Sequence, residues 1–138
     1  MFYFSHSSKV KLSSCDEKLQ KIASAAIVDS PYDFGISQGH RTPEYQNELY
    51  QQGRTKPGEI ITNCDGYKIK SKHNEFPSQA FDIAIFVDGL LTWNKNYYKA
   101  VGNHICEIAK KFDIRIKWPI NIGTIEKPIY DWPHFELI

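Results

Sequence analysis

The sequence has few cysteines and no long apolar run. Its three cysteines, Cys15, Cys64 and Cys106, are an odd number at wide spacings without a C-x-x-C pair, which fits neither a disulfide framework nor a thiolate zinc site. We expect them to be reduced; a redox or metal role for Cys64 or Cys106 is the alternative. No apolar stretch approaches the roughly 20 residues that span a bilayer, and the N-terminus lacks the pattern of a signal peptide. We therefore expect synthesis in the cytoplasm and no membrane insertion.

An excess of charge of one sign is also missing. The 17 Lys and Arg residues nearly balance the 16 Asp and Glu residues, and the basic residues form no stripe of the kind that neutralises phosphates. We therefore expect no nucleic-acid partner. The chain of 138 residues, 41% of them hydrophobic, is long enough for one hydrophobic core. Without an internal repeat or a linker, the sequence predicts a single domain over residues 1–138, and we expect a monomer.

Helix and strand patterns are mixed along the chain. Apolar residues recur every three or four positions in 13–29 and 94–112, and Thr42 followed by Pro43 begins a further helix that Gly53 ends. Ser14 and Glu17 predict a capping box for the first of these helices. Alternating apolar residues predict strands in 32–38, 80–87, 114–118 and 134–137. Because no regular βαβ alternation is present, the predicted fold is α+β, with a mainly antiparallel sheet packed against helices.

Asp82 is the most unusual residue, because it lies inside the apolar run AFDIAIFV. Burying a lone carboxylate is costly unless a positive group meets it. If the strand of Asp82 lies beside the C-terminal strand, His73, Asp82 and His134 would form a zinc site at the sheet with one open position for water. The metal would then be the positive partner of Asp82.

Two further residues are candidates for chemistry at such a metal. Asp131 begins the motif D-W-P-H, and a carboxylate beside zinc can take a proton from an attacking water and pass it to the leaving amine. The alternative is that Asp131 only begins a turn. Arg41, at a predicted strand-to-helix junction, would stabilise an oxyanion or bind a substrate carboxylate. The alternative is a surface arginine.

Other polar and aromatic residues give weaker signals. The histidines His6, His40 and His104 are expected to be structural or solvated, and no G-x-S-x-G motif supports a serine nucleophile. Aromatic residues near the C-terminus would form the floor of a substrate cleft or anchor the core, and the set comprises Trp118, Tyr130, Trp132 and Phe135. Trp132 is our candidate for substrate binding among them. A polar segment from Arg54 to Lys72 is predicted to be a surface loop.

Two motifs resemble those of a known enzyme family. The pattern S-x-H-N-x-x-P-S-x-A-F-D over Ser71–Asp82 and D-W-P-H-F-E-L near the C-terminus are similar to those of the zinc peptidases that include D-alanyl-D-alanine carboxypeptidases and L-alanyl-D-glutamate endopeptidases. The phage endolysin branch is the most similar, also through the segment YDFGISQGHRTPEYQNELYQQGRT. The resemblance implies one Zn²⁺ held by His73, Asp82 and His134, with Asp131 as general base and Arg41 at the transition state. It also implies a supporting or substrate-binding role for Ser71.

The resemblance further implies an endolysin that hydrolyses the L-alanyl-D-glutamate amide of peptidoglycan stem peptides with zinc-activated water. Such an enzyme would act on the wall after release from the host cytoplasm, through pores made by a partner protein. The segment between His73 and Asp82 is longer than in many members, and Pro-Ile-Asn-Ile-Gly follows Trp118, so the loop over the zinc and one wall of the cleft are expected to differ. The alternatives are a D-alanyl-D-alanine carboxypeptidase or dipeptidase with the same site, and a non-catalytic zinc-containing binding module.

Overall fold

The computed structural model describes residues 1–138 and contains four helices, α1 (His6–Ser13), α2 (Glu17–Val28), α3 (Pro43–Gln51) and α4 (Lys95–Lys111). Three were predicted, and α1 was not. Helix α3 has Thr42 as its N-cap, as expected. The predicted capping box at Ser14 is wrong, because Asp16 caps α2 by accepting a hydrogen bond from the Lys18 N–H. Ser14 instead ends α1, and its hydroxyl accepts a hydrogen bond from the His40 N–H.

Seven short strands complete the fold: β1 (Asp33–Gln38), β2 (Ala80–Val87), β3 (Leu90–Thr92), β4 (Ile116–Lys117), β5 (Ile120–Asn121), β6 (Tyr130–Asp131) and β7 (His134–Leu137). Five of them form an antiparallel sheet in the order β1-β2-β7-β4, with β3 paired to the end of β2. The two remaining strands, β5 and β6, form a separate hairpin. The predicted α+β fold with a mainly antiparallel sheet is confirmed.

Apolar and polar side chains alternate along β2 and β7, so one face of the sheet packs into the core and the other carries polar groups. Phe81, Ile83 and Phe135 are fully buried in one cluster with the apolar residues of α2 and α4. Asp82 and His134 alternate with these residues and therefore lie on the opposite face of the sheet. The core thus fixes the strands that carry the polar site. None of the helices combines the length and the hydropathy needed to cross a membrane.

Candidate metal centre

Asp82 and His134 are directly opposite each other on neighbouring strands. In the antiparallel pair of β2 and β7, Asp82 faces His134, one pair beyond Phe81 and Phe135. Such cross-strand neighbours have side chains on the same face and within reach of each other. The predicted pairing of the Asp82 strand with the C-terminal strand is therefore confirmed.

His73 reaches the same point from a 3₁₀ turn, Lys72–Asn74. Ser71 caps this turn, since its hydroxyl accepts a hydrogen bond from the His73 N–H at 3.2 Å, while the Asn74 side chain accepts one from the Ser71 N–H at 2.8 Å. The His73 imidazole is fully buried, and its Nδ1 lies 2.7 Å from the carbonyl oxygen of Gly39. Because a carbonyl only accepts, Nδ1 carries the proton, and Nε2 presents a lone pair.

Three ligand atoms converge at this point. The distances between His73 Nε2, His134 Nδ1 and Asp82 Oδ1 are all 3.1 Å. Tetrahedral zinc with bonds of about 2.0–2.1 Å separates its ligand atoms by roughly 3.3 Å. The three side chains therefore have the ligand types and the spacing of a metal site, and they are the one group of histidine, cysteine and carboxylate side chains that meets this geometry.

Glu136 fixes the orientation of His134. The Nε2 atom of His134 lies 2.8 Å from the Glu136 carboxylate, which only accepts, so Nε2 carries a proton and Nδ1 faces the other two ligand atoms. Glu136 was not predicted from the sequence to be part of the site. Its position two residues after His134 on the same strand face was the signal that could have found it.

The charges at the centre favour a cation. Burial would raise the pKa of Asp82, but His73 and His134 outweigh this effect and hold it well below its usual range. Burial lowers the pKa of His73. Burial also lowers the pKa of His134, but its hydrogen bonds to Asp82 and Glu136 have a larger opposite effect. They raise the pKa of His134 to about 9. A positive charge is thus stabilised between these carboxylates, and a proton or a metal ion can supply it.

Arg41 is a second positive partner of Asp82. Its Nη2 donates to Asp82 Oδ2 at 3.0 Å, its Nε to Gln38 Oε1 at 3.0 Å and its Nη1 to Gln46 Oε1 at 3.2 Å. Only 12% of the side chain is exposed, so Arg41 is not an ordinary surface arginine. A guanidinium has five N–H groups, and two remain for a ligand in the adjacent cleft.

A cleft of about 310 Å³ lies over Asp82 and His134, whereas the fully buried His73 does not line it. Arg41, Asp82 and His134 lie at its base, the segment 61–64 forms one wall, and the segment 120–122 at β5 forms the other. The Asn63 side chain donates to the carbonyl oxygen of Ile122 at 3.0 Å and links the two walls. The predicted loop from 54 to 72 therefore contributes directly to the cleft.

Asp131 lines the cleft at the end of β6. Burial, and then the negative charge of Asp82, raise its pKa to about 6. A carboxylate that binds and releases protons near neutral pH is suited to general-base work. The structure thus brings Asp131 and Arg41 to the same cleft as Asp82 and His134, two of the three candidate ligands.

Ser71 and Trp132 differ in their relation to the cleft. Ser71 lines it, although its hydroxyl also caps the turn that carries His73. Trp132 is half-buried against the core, its ring centroid is 5.8 Å from that of Trp118, and it is not among the residues that line the cleft. The structure therefore gives Trp132 a packing role, and substrate binding by either residue stays a prediction.

Comparisons with known proteins agree on one family. The model of the phage L-alanyl-D-glutamate peptidase family matches residues 1–138. The peptidoglycan L-alanyl-D-glutamate endopeptidase CwlK of Bacillus subtilis (strain 168) is 35% identical over 120 residues, which cover 83% of this chain and 66% of the relative. The L-alanyl-D-glutamate peptidase of Escherichia phage T5 is 28% identical over 145 residues, covering 99% and 98% of the two chains.

The fold also has a counterpart among solved structures. The crystal structure of the Serratia marcescens L-Ala D-Glu endopeptidase ChiX superposes with a TM-score of 0.73 and 21% sequence identity. The superposition covers 99% of this chain and 90% of that chain. The two proteins therefore share a fold along nearly their whole length.

Proposed function

Since the chain belongs to the phage L-alanyl-D-glutamate peptidase family, we propose that it is a zinc-dependent endopeptidase that hydrolyses the L-alanyl-D-glutamate amide of peptidoglycan stem peptides. The observation that carries the proposal is the convergence of three ligand atoms at 3.1 Å beneath a cleft that also contains Asp131 and Arg41. L-alanyl-D-glutamate peptidase activity is named for both relatives, and peptidoglycan is named as the substrate of the relative from Bacillus subtilis.

His73, Asp82 and His134 would hold the ion, because their lone pairs converge and a histidine–carboxylate set suits zinc. When bound there, zinc would polarise the scissile carbonyl and lower the pKa of water in the site. Glu136 and the Gly39 carbonyl keep the two imidazoles in the tautomers that face the ion. These two hydrogen bonds would orient the imidazoles before a metal binds.

Asp131 and Arg41 would act on the reacting groups. The Asp131 carboxylate accepts a proton from the attacking water and returns it to the amine as the C–N bond breaks, so that a carboxylate and an amine are released. The free N–H groups of Arg41 donate to the carbonyl oxygen as negative charge develops on it. Ser71, at the rim of the cleft, would contact the peptide.

The cations in the cleft favour an endopeptidase over a carboxypeptidase or dipeptidase. An exopeptidase needs a positive group for the terminal carboxylate of its substrate. Arg41 is the only lysine or arginine that lines the cleft, and it is already paired with Asp82 at 3.0 Å. Because its two remaining N–H groups are assigned here to the scissile carbonyl oxygen, the cleft has no second lysine or arginine for a free C-terminus.

The proposed substrate, the bacterial cell wall, lies outside the cytoplasm of the host. A peptidase of this family made in the host cytoplasm would reach the wall through a pore made by a partner protein or after lysis. We propose that residues 1–138 act as one domain and as a monomer, because both walls of the cleft and all three ligands come from one chain.

Mass spectrometry of peptidoglycan digests tests the proposed reaction. The zinc-loaded protein should produce stem peptides that newly begin with D-glutamate, and Asp131→Asn should not. Glu126→Gln is the matched control, because Glu126 is an exposed acid in the same β5–β6 hairpin. Released D-alanine would move the assignment to a carboxypeptidase, and an unchanged digest with zinc bound would favour a binding module.

A further inference from the structure

Gln46 is a fully buried amide in a helix whose other residues are all at least partly exposed. Glutamine is rarely buried to this degree unless its polar atoms have partners. Its Oε1 accepts from Arg41 Nη1 at 3.2 Å, and its Nε2 donates to Thr62 Oγ1 at 3.2 Å and to the Cys64 carbonyl oxygen at 3.0 Å. One partner thus belongs to the metal centre and two belong to the cleft wall.

The segment 62–66, which includes most of the cleft wall at 61–64, has no helix or strand of its own and contacts α3. Asn47 donates to the carbonyl oxygen of Asp65 at 3.0 Å. Gly66 is so close to the helix that a β-carbon there would lie 2.6 Å from the carbonyl oxygen of Pro43. Two neighbouring side chains of α3 therefore hold the wall, but only Gln46 also contacts Arg41.

We propose that Gln46 is a positioning residue that orients Arg41 and, through its amide nitrogen, also anchors the wall at residues 62–64. The inference rests on the proposed function, in which Arg41 meets the scissile carbonyl. The bonds from Nη1 to Gln46 and from Nη2 to Asp82 fix the plane of the guanidinium, which lines the cleft with two N–H groups still free.

A carboxamide is the side chain that this position needs. It accepts from a guanidinium at one end and donates to a hydroxyl and a carbonyl at the other. A glutamate would keep the acceptor for Arg41 and lose both donors to the wall. A methionine of similar length would lose all three hydrogen bonds. Comparing the two variants therefore separates the effect of the bond to Arg41 from the effect of the bonds to the wall.

Kinetics of Gln46→Met, Gln46→Glu and Asn47→Leu test the proposal. Misplacement of a positioned group by about 1 Å can cost about 100-fold in rate, so we expect Gln46→Met to lower kcat by at least ~10-fold without changing zinc stoichiometry. Asn47→Leu loosens the same wall without touching Arg41, so amides in 62–66 should exchange faster while kcat stays within about twofold.

Gln46→Glu should recover part of the kcat that is lost in Gln46→Met, but not the protection of the amides in 62–66. Equal kcat in Gln46→Met and Asn47→Leu, or no recovery in Gln46→Glu, would overturn the proposal.

A second readout does not depend on turnover. Rotation of the Arg41 guanidinium about its Nε–Cζ bond, measured by NMR, should be slow in the unmodified protein and in Asn47→Leu, and fast in Gln46→Met. Equal rotation rates in all three proteins would contradict the positioning role. Failure of the unmodified protein to cleave stem peptides would instead contradict the proposed function, and the NMR result would remain interpretable.

Discussion

At the scale of single residues, the two oxygens of Asp82 have different partners. Oδ1 faces the two imidazole nitrogens at 3.1 Å, whereas Oδ2 accepts from Arg41 at 3.0 Å. Arg41 therefore neutralises one side of the carboxylate and leaves the other side for a metal. The same division occurs at His134, whose Nε2 donates to Glu136 and whose Nδ1 faces the centre.

Removing Glu136 should weaken zinc binding. Loss of a carboxylate that orients a metal-binding histidine typically costs about 10- to 100-fold in metal affinity. We expect Glu136→Met to show this loss and Glu136→Gln a smaller one, because the amide oxygen can still accept from His134. Competition with a chromophoric chelator measures the affinities. Wild-type affinity in Glu136→Met would contradict the orienting role.

Activity should fall with acidification as Asp131 becomes protonated. Only the carboxylate accepts a proton from water, and burial places the pKa of Asp131 at about 6 in the metal-free site. A bound cation lowers this pKa, because it favours the negative form. We therefore expect kcat/KM to decrease toward low pH with a midpoint at or below about 6. Zinc content is measured at each pH, and constant activity down to about pH 4 in zinc-loaded protein would argue against Asp131 as the base.

Two of the three candidate ligands stand out locally in the sequence, whereas His73 was proposed mainly through the motif that resembles the enzyme family. Asp82 interrupts an apolar strand, and His134 alternates with Phe135 and Leu137. Gln46 could not be predicted, since its partners at 62 and 64 belong to an irregular segment whose position no periodicity indicates. The ion pair of Arg41 with Asp82 was also missed, because it joins residues 41 positions apart.

At the scale of elements, the site joins a rigid sheet to an irregular wall. The segment from 54 to 71 is organised by side chains and turns instead of ladder hydrogen bonds. One oxygen of Asp65 accepts from the N–H groups of Tyr67, Lys68 and Ile69 at 2.8 to 3.0 Å. A single side chain therefore shapes the turn at the outer end of the wall.

Asp65→Ala should loosen this turn without affecting zinc. The N–H donors of Ile69 and Tyr67 lower the pKa of Asp65 in the folded protein, so the ionised carboxylate stabilises the turn above the unfolded pKa of about 3.9. This stabilisation is lost as the pH falls through the folded pKa. We expect faster amide exchange at 67–69 in the variant, with unchanged zinc affinity. Equal protection in both proteins would show that the turn does not depend on Asp65.

The elements that were predicted well from the sequence are those in which apolar residues recur regularly over many positions. Strand β2 and helix α4 were predicted closely because their buried faces repeat over 8 and 17 residues. Helix α1 was missed, since only Ser8 and Leu12 are buried in its eight residues. The β5–β6 hairpin was missed as well, because each strand has two residues and the pairing joins Ile120 to Asp131 across a long connection.

At the scale of the whole molecule, the metal centre is separate from the hydrophobic core. The core cluster contains 19 buried apolar residues and none of the three ligands. The metal-free protein should therefore remain folded. A metal ion would nevertheless stabilise it, because the ion holds together residues 73, 82 and 134, which are distant in sequence.

Zinc should raise the melting temperature. A ligand at about 1,000 times its Kd stabilises the native state by about 4 kcal/mol, which corresponds to an increase on the order of 10 °C for a domain of this size. Asp82→Asn should give a much smaller increase, since it weakens one ligand. Calorimetry with and without zinc measures the effect, and an unfolded metal-free protein would show that the core alone does not determine the fold.

Titration of metal-free protein with zinc, with peptide cleavage followed in the same samples, tests the central claim most directly. We expect the rate of release of peptides beginning with D-glutamate to rise linearly and to level off at about one equivalent of zinc. His73→Ala and His134→Ala should remain inactive at this ratio. Full turnover in protein shown to be free of metal would contradict the account, as would a plateau that is unaffected by loss of either histidine.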